Sequence, residues 1–268
     1  MNKEWTVIDG LQYSAWSREI FEQMREGGLT CVHVTIAYHE NTRETLTRIG
    51  EWNQRFESMP DLIRPIYDPS DIALAKKEGR IGIIFGAQNC SPIEDEIRLV
   101  EVMRRLGLMI MQLTYNNQSL LACGCYEDED SGLTRFGKQV IKEMNRVGMV
   151  IDMSHSAERS TLEAIDYSEQ PVIVSHANPS HFHPALRNKS NKVIDAVAAN
   201  EGILGFSLYP FHTHTHTHTH THTHIALFRS YTRATTPSHP PIAPHPPTPV
   251  SLRFCLSLCI SLRGTAFT

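Results

Sequence analysis

The chain has 268 residues, 41% of them hydrophobic and 20% charged, with a formal net charge of −4; that length suffices for one large domain with a sizeable core or for two small ones. The averages hide a break: all 29 Asp and Glu residues fall at or before Glu201, while residues 1–210 carry 21 of the 25 Lys and Arg. An acidic 210-residue part without a basic stripe argues against a nucleic-acid partner. No window reaches the roughly 18 apolar residues a transmembrane segment requires. Met1 to Trp5 shows no basic stretch leading into an apolar run, so a cytoplasmic protein is expected.

In chain order, short β-rich runs occupy 6–9, 31–37, 81–85, 108–115, 149–153, 172–175 and 203–208. Most are continuous apolar stretches, as expected of strands covered on both faces. Helix-period segments separate them at 18–26, 134–146, 158–165 and 192–199. Another helix is predicted to start at Ser91-Pro92-Ile93-Glu94, with Ser91 as cap, Pro92 in the first turn, Glu94 completing a capping box and Gly107 as the stop. Strand and helix in alternation give a parallel sheet. An open doubly wound sheet and a closed barrel both fit this order. The open sheet usually carries a glycine-rich phosphate turn after its first strand, and Asp9-Gly10-Leu11-Gln12-Tyr13 is not one. Seven strands stand where a closed (β/α)8 barrel needs eight.

Reactive groups in parallel α/β folds gather at the carboxyl ends of the strands. Here those ends read Tyr38-His39-Glu40, Gln88-Asn89-Cys90, Tyr115-Asn116-Asn117, Asp152-Met153-Ser154-His155 and Ser175-His176. A lone histidine at a strand end is more often hydrogen-bonded structure than ligand. Two in register on strands about 4.8 Å apart can meet at one metal ion. Arg187, at the end of the long polar loop after His176, reads either as a clamp for a carboxylate or, more simply, as a solvated arginine capping the next helix. His181 and His183 read as surface residues. Cys123-Gly124-Cys125 lacks a second pair to complete a zinc quartet, so its thiols are expected to be reduced loop residues.

Val7-Ile8-Asp9-Gly10, Leu113-Thr114-Tyr115-Asn116, Val150-Ile151-Asp152-Met153-Ser154-His155, Pro171 to His176 and Leu186-Arg187-Asn188 together resemble the membrane dipeptidase (renal dipeptidase, peptidase M19) family over about residues 5–210. The resemblance implies a (β/α)8 TIM barrel of the metal-dependent hydrolase type that cleaves dipeptides at two zinc ions. By position it assigns His155 and His176 to one zinc, Arg187 to the substrate carboxylate, and Tyr115 to the place of a histidine that helps hold the substrate oxygen.

The sequence also departs from the family. Leu11 and Tyr13 stand where the first strand of the family ends in His-x-Asp, and Gln88 stands at the bridging glutamate. The expectation is therefore at most one zinc ion, held by His155 and His176. The family's water-orienting aspartate follows an eighth strand for which the pattern after Pro210 has no counterpart, so no catalytic residue is assigned. Two rival readings stay open: a non-catalytic barrel relative with a binding or assembly role, and a mononuclear amidohydrolase with Asp9, Glu40 or Asp152 as base. A seven-stranded remnant would leave two sheet edges unpaired, which predicts aggregation unless the tail or another chain, as in a homo-oligomer, covers them.

From His212 to His224 the chain alternates His and Thr, placing seven of the fifteen histidines in thirteen residues. Residues 225–268 then hold seven of the fifteen prolines and no acid. As protein, the repeat reads as a metal-binding comb or a linker. The alternation is also what a CA dinucleotide repeat encodes, so the expected division is an incomplete barrel over 1–210, the repeat over 211–224, and a tail over 225–268 that is disordered or not genuine coding sequence.

Overall fold

The computed structural model describes residues 5–213; the expectations for the repeat beyond Thr213 and for the tail lie outside those residues. The elements run β1 (Ile8–Gln12), α1 (Arg18–Glu26), β2 (Cys31–Ala37), α2 (Thr42–Ser58), β3 (Ile63–Pro65), α3 (Pro69–Glu78), β4 (Ile81–Ala87), α4 (Arg98–Arg105), β5 (Leu108–Gln112), α5 (Arg135–Val147), β6 (Val150–Asp152), α6 (Glu158–Tyr167), β7 (Ile173–Val174), α7 (Asn191–Ala199) and β8 (Ile203–Leu204).

All strand pairs are parallel, and the path β1-β2-β4-β5-β6-β7-β8 contains the seven strands read from the sequence. The eighth, β3, was not foreseen. It pairs with the foot of β4 through Ile63↔Ile81 and Pro65↔Ile83, on the side of β4 that β5 occupies higher up. Three residues beginning Ile-Arg-Pro carry too little pattern to be distinguished from a loop. Among the described residues β1 and β8 are the two ends of the path.

The helices on the outer face start and stop for local reasons. Asn41 and Glu44 form a reciprocal capping box at α2, and Thr134 caps α5, which ends at Gly148 in the left-handed region. The helix expected from Ser91 is displaced. Ser91–Ile93 forms only a 3-10 turn, and the α-helix begins at Arg98. The two supposed capping groups are used elsewhere: Ser91 Oγ donates to Tyr38 O, and Glu94 accepts from the Thr42 amide, which ties this loop to the loop after β2. In that helix Met103 is buried, and Leu106 after it is 37% exposed.

Strand alternation sorts the two faces of the sheet. Ile83, Phe85 and Ala87 of β4 join Phe21, Trp52, Met103, Ile141 and Met144 in the main core beneath the helices. The intervening Gly86 faces the barrel interior, where the His33 ring lies over it; a Cβ there would come 1.7 Å from His33 Nε2. The interior floor is apolar at Cys31, Ile66 and Ile84. Nearer the carboxyl ends of the strands His33, Gln88, Gln112, Asp152 and Ser175 are buried. A polar layer inside an apolar sheet needs internal partners, and those partners build the site.

Candidate metal centre

Asp152, the last residue of β6, is fully buried and organises the centre. Its Oδ1 accepts from the Ser154 amide at 3.0 Å, the Ser154 hydroxyl at 2.5 Å and the Ser175 amide at 3.1 Å. Its Oδ2 accepts from the Ser175 hydroxyl and from Gln112 Nε2. Five donors converge on this buried carboxylate and hold together the two turns that carry the histidines.

The tautomers follow from this network. The single proton of the Ser175 hydroxyl points to Asp152, so at 2.7 Å from His176 Nδ1 the oxygen accepts, and Nδ1 carries the hydrogen. Asn116 Oδ1 lies 2.6 Å from His155 Nδ1 and is an acceptor, so that nitrogen carries the hydrogen too. Both Nε2 atoms then present lone pairs, 2.9 Å apart. Gln88 donates through Nε2 to Thr35 Oγ1, which turns its Oε1 to 2.9 Å from His155 Nε2. Two imidazole nitrogens and one amide oxygen therefore converge as acceptors with no donor between them.

Burial, and next the Arg187 charge, push both histidines well below the ordinary histidine range, which keeps the rings neutral. Three convergent acceptors around neutral imidazoles have the chemistry to fit one zinc ion. They do not fit two. Leu11 is buried and apolar, and Tyr13 is 70% exposed. Among the described residues no group of three or more His, Cys, Asp or Glu side chains could hold a metal.

Arg187 is not the solvated helix cap of the simpler reading. It is 2% exposed and donates to Ser154 O and, at 3.2 Å, to His176 O, directly behind the histidine pair. Ser190 caps α7 instead. Lys189, also buried, donates to Ser156 O at 2.6 Å, and burial followed by the Arg187 charge pushes it down to about 7. Tyr115 stacks on His155 with ring centroids 4.1 Å apart. Cys123 and Cys125 are free thiols, as expected, and His181 is exposed.

The three carboxylates considered as bases are engaged otherwise. Asp9 accepts from the Leu11 amide, Glu40 accepts from the Tyr38 and His39 amides, and Asp152 is enclosed by its five donors.

Sequence reasoning missed Asn116 as the residue that orients His155. Its backbone has φ 64°, and Gly124 packs so closely that a Cβ would meet the Asn116 carbonyl at 2.0 Å. An asparagine in the left-handed region opposite a glycine is a tertiary match, not a local motif.

The sequence profile of the membrane dipeptidase family (peptidase family M19) matches residues 14–232. The chain belongs to this family. Among curated members, dipeptidase tcpJ of Claviceps purpurea is 26% identical over 66% of this chain and 42% of its own length. Dipeptidase verJ of Clonostachys rogersoniana is 28% identical over 63% and 44%. The M19 chain described here thus spans less than half the length of these curated relatives. An amidohydrolase from Pseudomonas aeruginosa superposes with a TM-score of 0.74 at 40% identity, covering 76% of this chain and 62% of that one. A Rhodobacter sphaeroides metallopeptidase, solved with a phosphinate mimic of the dipeptide L-Ala-D-Ala, superposes at 0.75 with 13% identity and supports the fold. The α/β barrel architecture is that of M19 proteins, a family of hydrolases. No helix among the described residues is long and apolar enough to cross a membrane.

Proposed function

We propose that this M19 barrel binds dipeptides over a single zinc ion held by His155, His176 and the Gln88 amide oxygen, and acts as a metal-dependent dipeptidase. The observation that carries the reading is the 2.9 Å approach of two Nε2 lone pairs, each fixed by its own Nδ1 partner. A zinc ion there would polarise a carbonyl and lower the pKa of a bound water.

The protein's own groups supply the rest. Ser175 and Asn116 hold the ring tautomers. Arg187, with two of its N–H groups on Ser154 O and His176 O, concentrates positive charge beside the pair, where a substrate carboxylate is drawn in. Tyr115, stacked on His155, forms one wall for the substrate.

The absence of a carboxylate among the converging donors favours one ion over two, because two dications so close would repel with no anion between them. The test is metal analysis of the purified full chain together with zinc-dependent turnover of a dipeptide panel. One zinc per chain, with hydrolysis lost in His155→Ala and His176→Ala, is the expected result. Two tightly bound zinc ions, or hydrolysis unaffected by both substitutions, would overturn the reading.

A further inference from the structure

Resting on that reading, we infer that the cleft beside the histidine pair receives the basic side chain of a dipeptide's amino-terminal residue. The cleft has a volume of about 350 Å³ and lies between the loops that follow β2, β4 and β5, the size range of a small-ligand site. Tyr115 belongs to both places: it stacks on His155 and also lines the cleft. A substrate whose scissile carbonyl sits at the histidines therefore has this cleft within reach of the adjoining side chain.

Charge sets the direction. Behind the histidines stand the buried Arg187 guanidinium and Lys189 amine, both bonded to backbone carbonyls and, among the described residues, neither in an ion pair. That end suits the carboxylate of a dipeptide, which places the amino-terminal residue on the cleft side. The cleft bears one carboxylate, Glu94, with no lysine or arginine in its lining. Its histidine, His39, meets Asn89 Nδ2 at 3.4 Å through Nδ1, a contact in which the ring nitrogen accepts.

Glu94 is exposed at the cleft and makes a hydrogen bond to the loop after β2. Its backbone has φ 48°, and its Oε1 accepts from the Thr42 amide at 3.2 Å. Tyr115, which lines the cleft, meets Tyr38 edge to face, and Tyr38 meets Tyr13 in the same way, each with ring centroids 5.5 Å apart. Aromatic faces beside a carboxylate attract ammonium and guanidinium groups and offer nothing to an anion.

The test compares Lys-Ala, norleucyl-Ala and Glu-Ala on the full zinc-loaded chain, by calorimetric binding and by turnover. Lys-Ala is expected to bind at least ten-fold tighter than norleucyl-Ala, with Glu-Ala weakest. In Glu94→Gln the ratio of Lys-Ala to norleucyl-Ala should fall below about two-fold, and Glu94→Lys should move the preference toward Glu-Ala. Equal binding of the three, or a ratio unchanged in both variants, overturns the inference even if all are hydrolysed. A basic preference in binding without turnover sustains it and instead removes the dipeptidase reading. No binding by any of the three removes both.

Discussion

His155 and His176 face each other through Nε2 atoms 2.9 Å apart, and each ring has its other nitrogen fixed by an acceptor, Asn116 for the first and Ser175 for the second. Two lone pairs at that separation repel unless a positive charge lies between them. On the proposed reading that charge is a zinc ion, and the neighbours of the pair determine how well it is held.

Zinc should stabilise the folded chain. A ligand that binds only the native state at one hundred times its Kd adds about 2.7 kcal/mol. Thermal unfolding with zinc and after chelation should differ accordingly. His176→Ala should abolish the difference.

Ser175→Ala removes the hydroxyl that fixes the His176 tautomer. Loss of such an outer contact costs about 10- to 100-fold in metal affinity. Zinc titration of the variant against the parent measures this, and a cobalt-loaded spectrum should shift as the ring reorients. An unaltered affinity would show that Ser175 only fills space.

Gly86→Ala would drive a methyl group into the His33 ring, 1.7 Å from Nε2. Overpacking of a rigid interior costs about 1–3 kcal/mol. His33→Ala should relieve much of it, and a double-mutant cycle by urea unfolding should show coupling of at least about 1 kcal/mol between the two sites.

Lys189 has its folded pKa depressed to about 7. Below pH 7 both states hold the proton, and the folded chain bears a buried cation. Between pH 7 and the ordinary lysine value the unfolded state binds more protons, so stability rises with pH. From pH 7 to 9 the gain is about 2–3 kcal/mol. Lys189→Met should remove this slope, as measured by unfolding free energies at the two pH values.

Seven strands were legible because most are continuous apolar runs, and the histidines because each ends such a run. Their boundaries shifted at the carboxyl ends, where β7 and β8 shrink to two residues each as the chain turns to side-chain bonding, with Asp152 after β7 and with Asn178 after β8. The helix predicted at Ser91 failed for a related reason. Its capping groups found tertiary partners, Tyr38 O and the Thr42 amide, that compete with a local cap.

By itself the sequence determined the alternating α/β order, the seven-strand path, the family, and the pairing of His155 with His176 on neighbouring strands, because periodicity and strand-end position are properties of short segments. Only the tertiary structure decided that Asn116, Ser175 and Gln88 orient and complete that pair, that Arg187 is buried behind it instead of capping a helix, and that Glu94 faces the neighbouring cleft. Those facts depend on which loops meet at the barrel mouth. Hydrogen bonds between residues such as Gln88 and His155, 67 positions apart, leave no trace in local pattern.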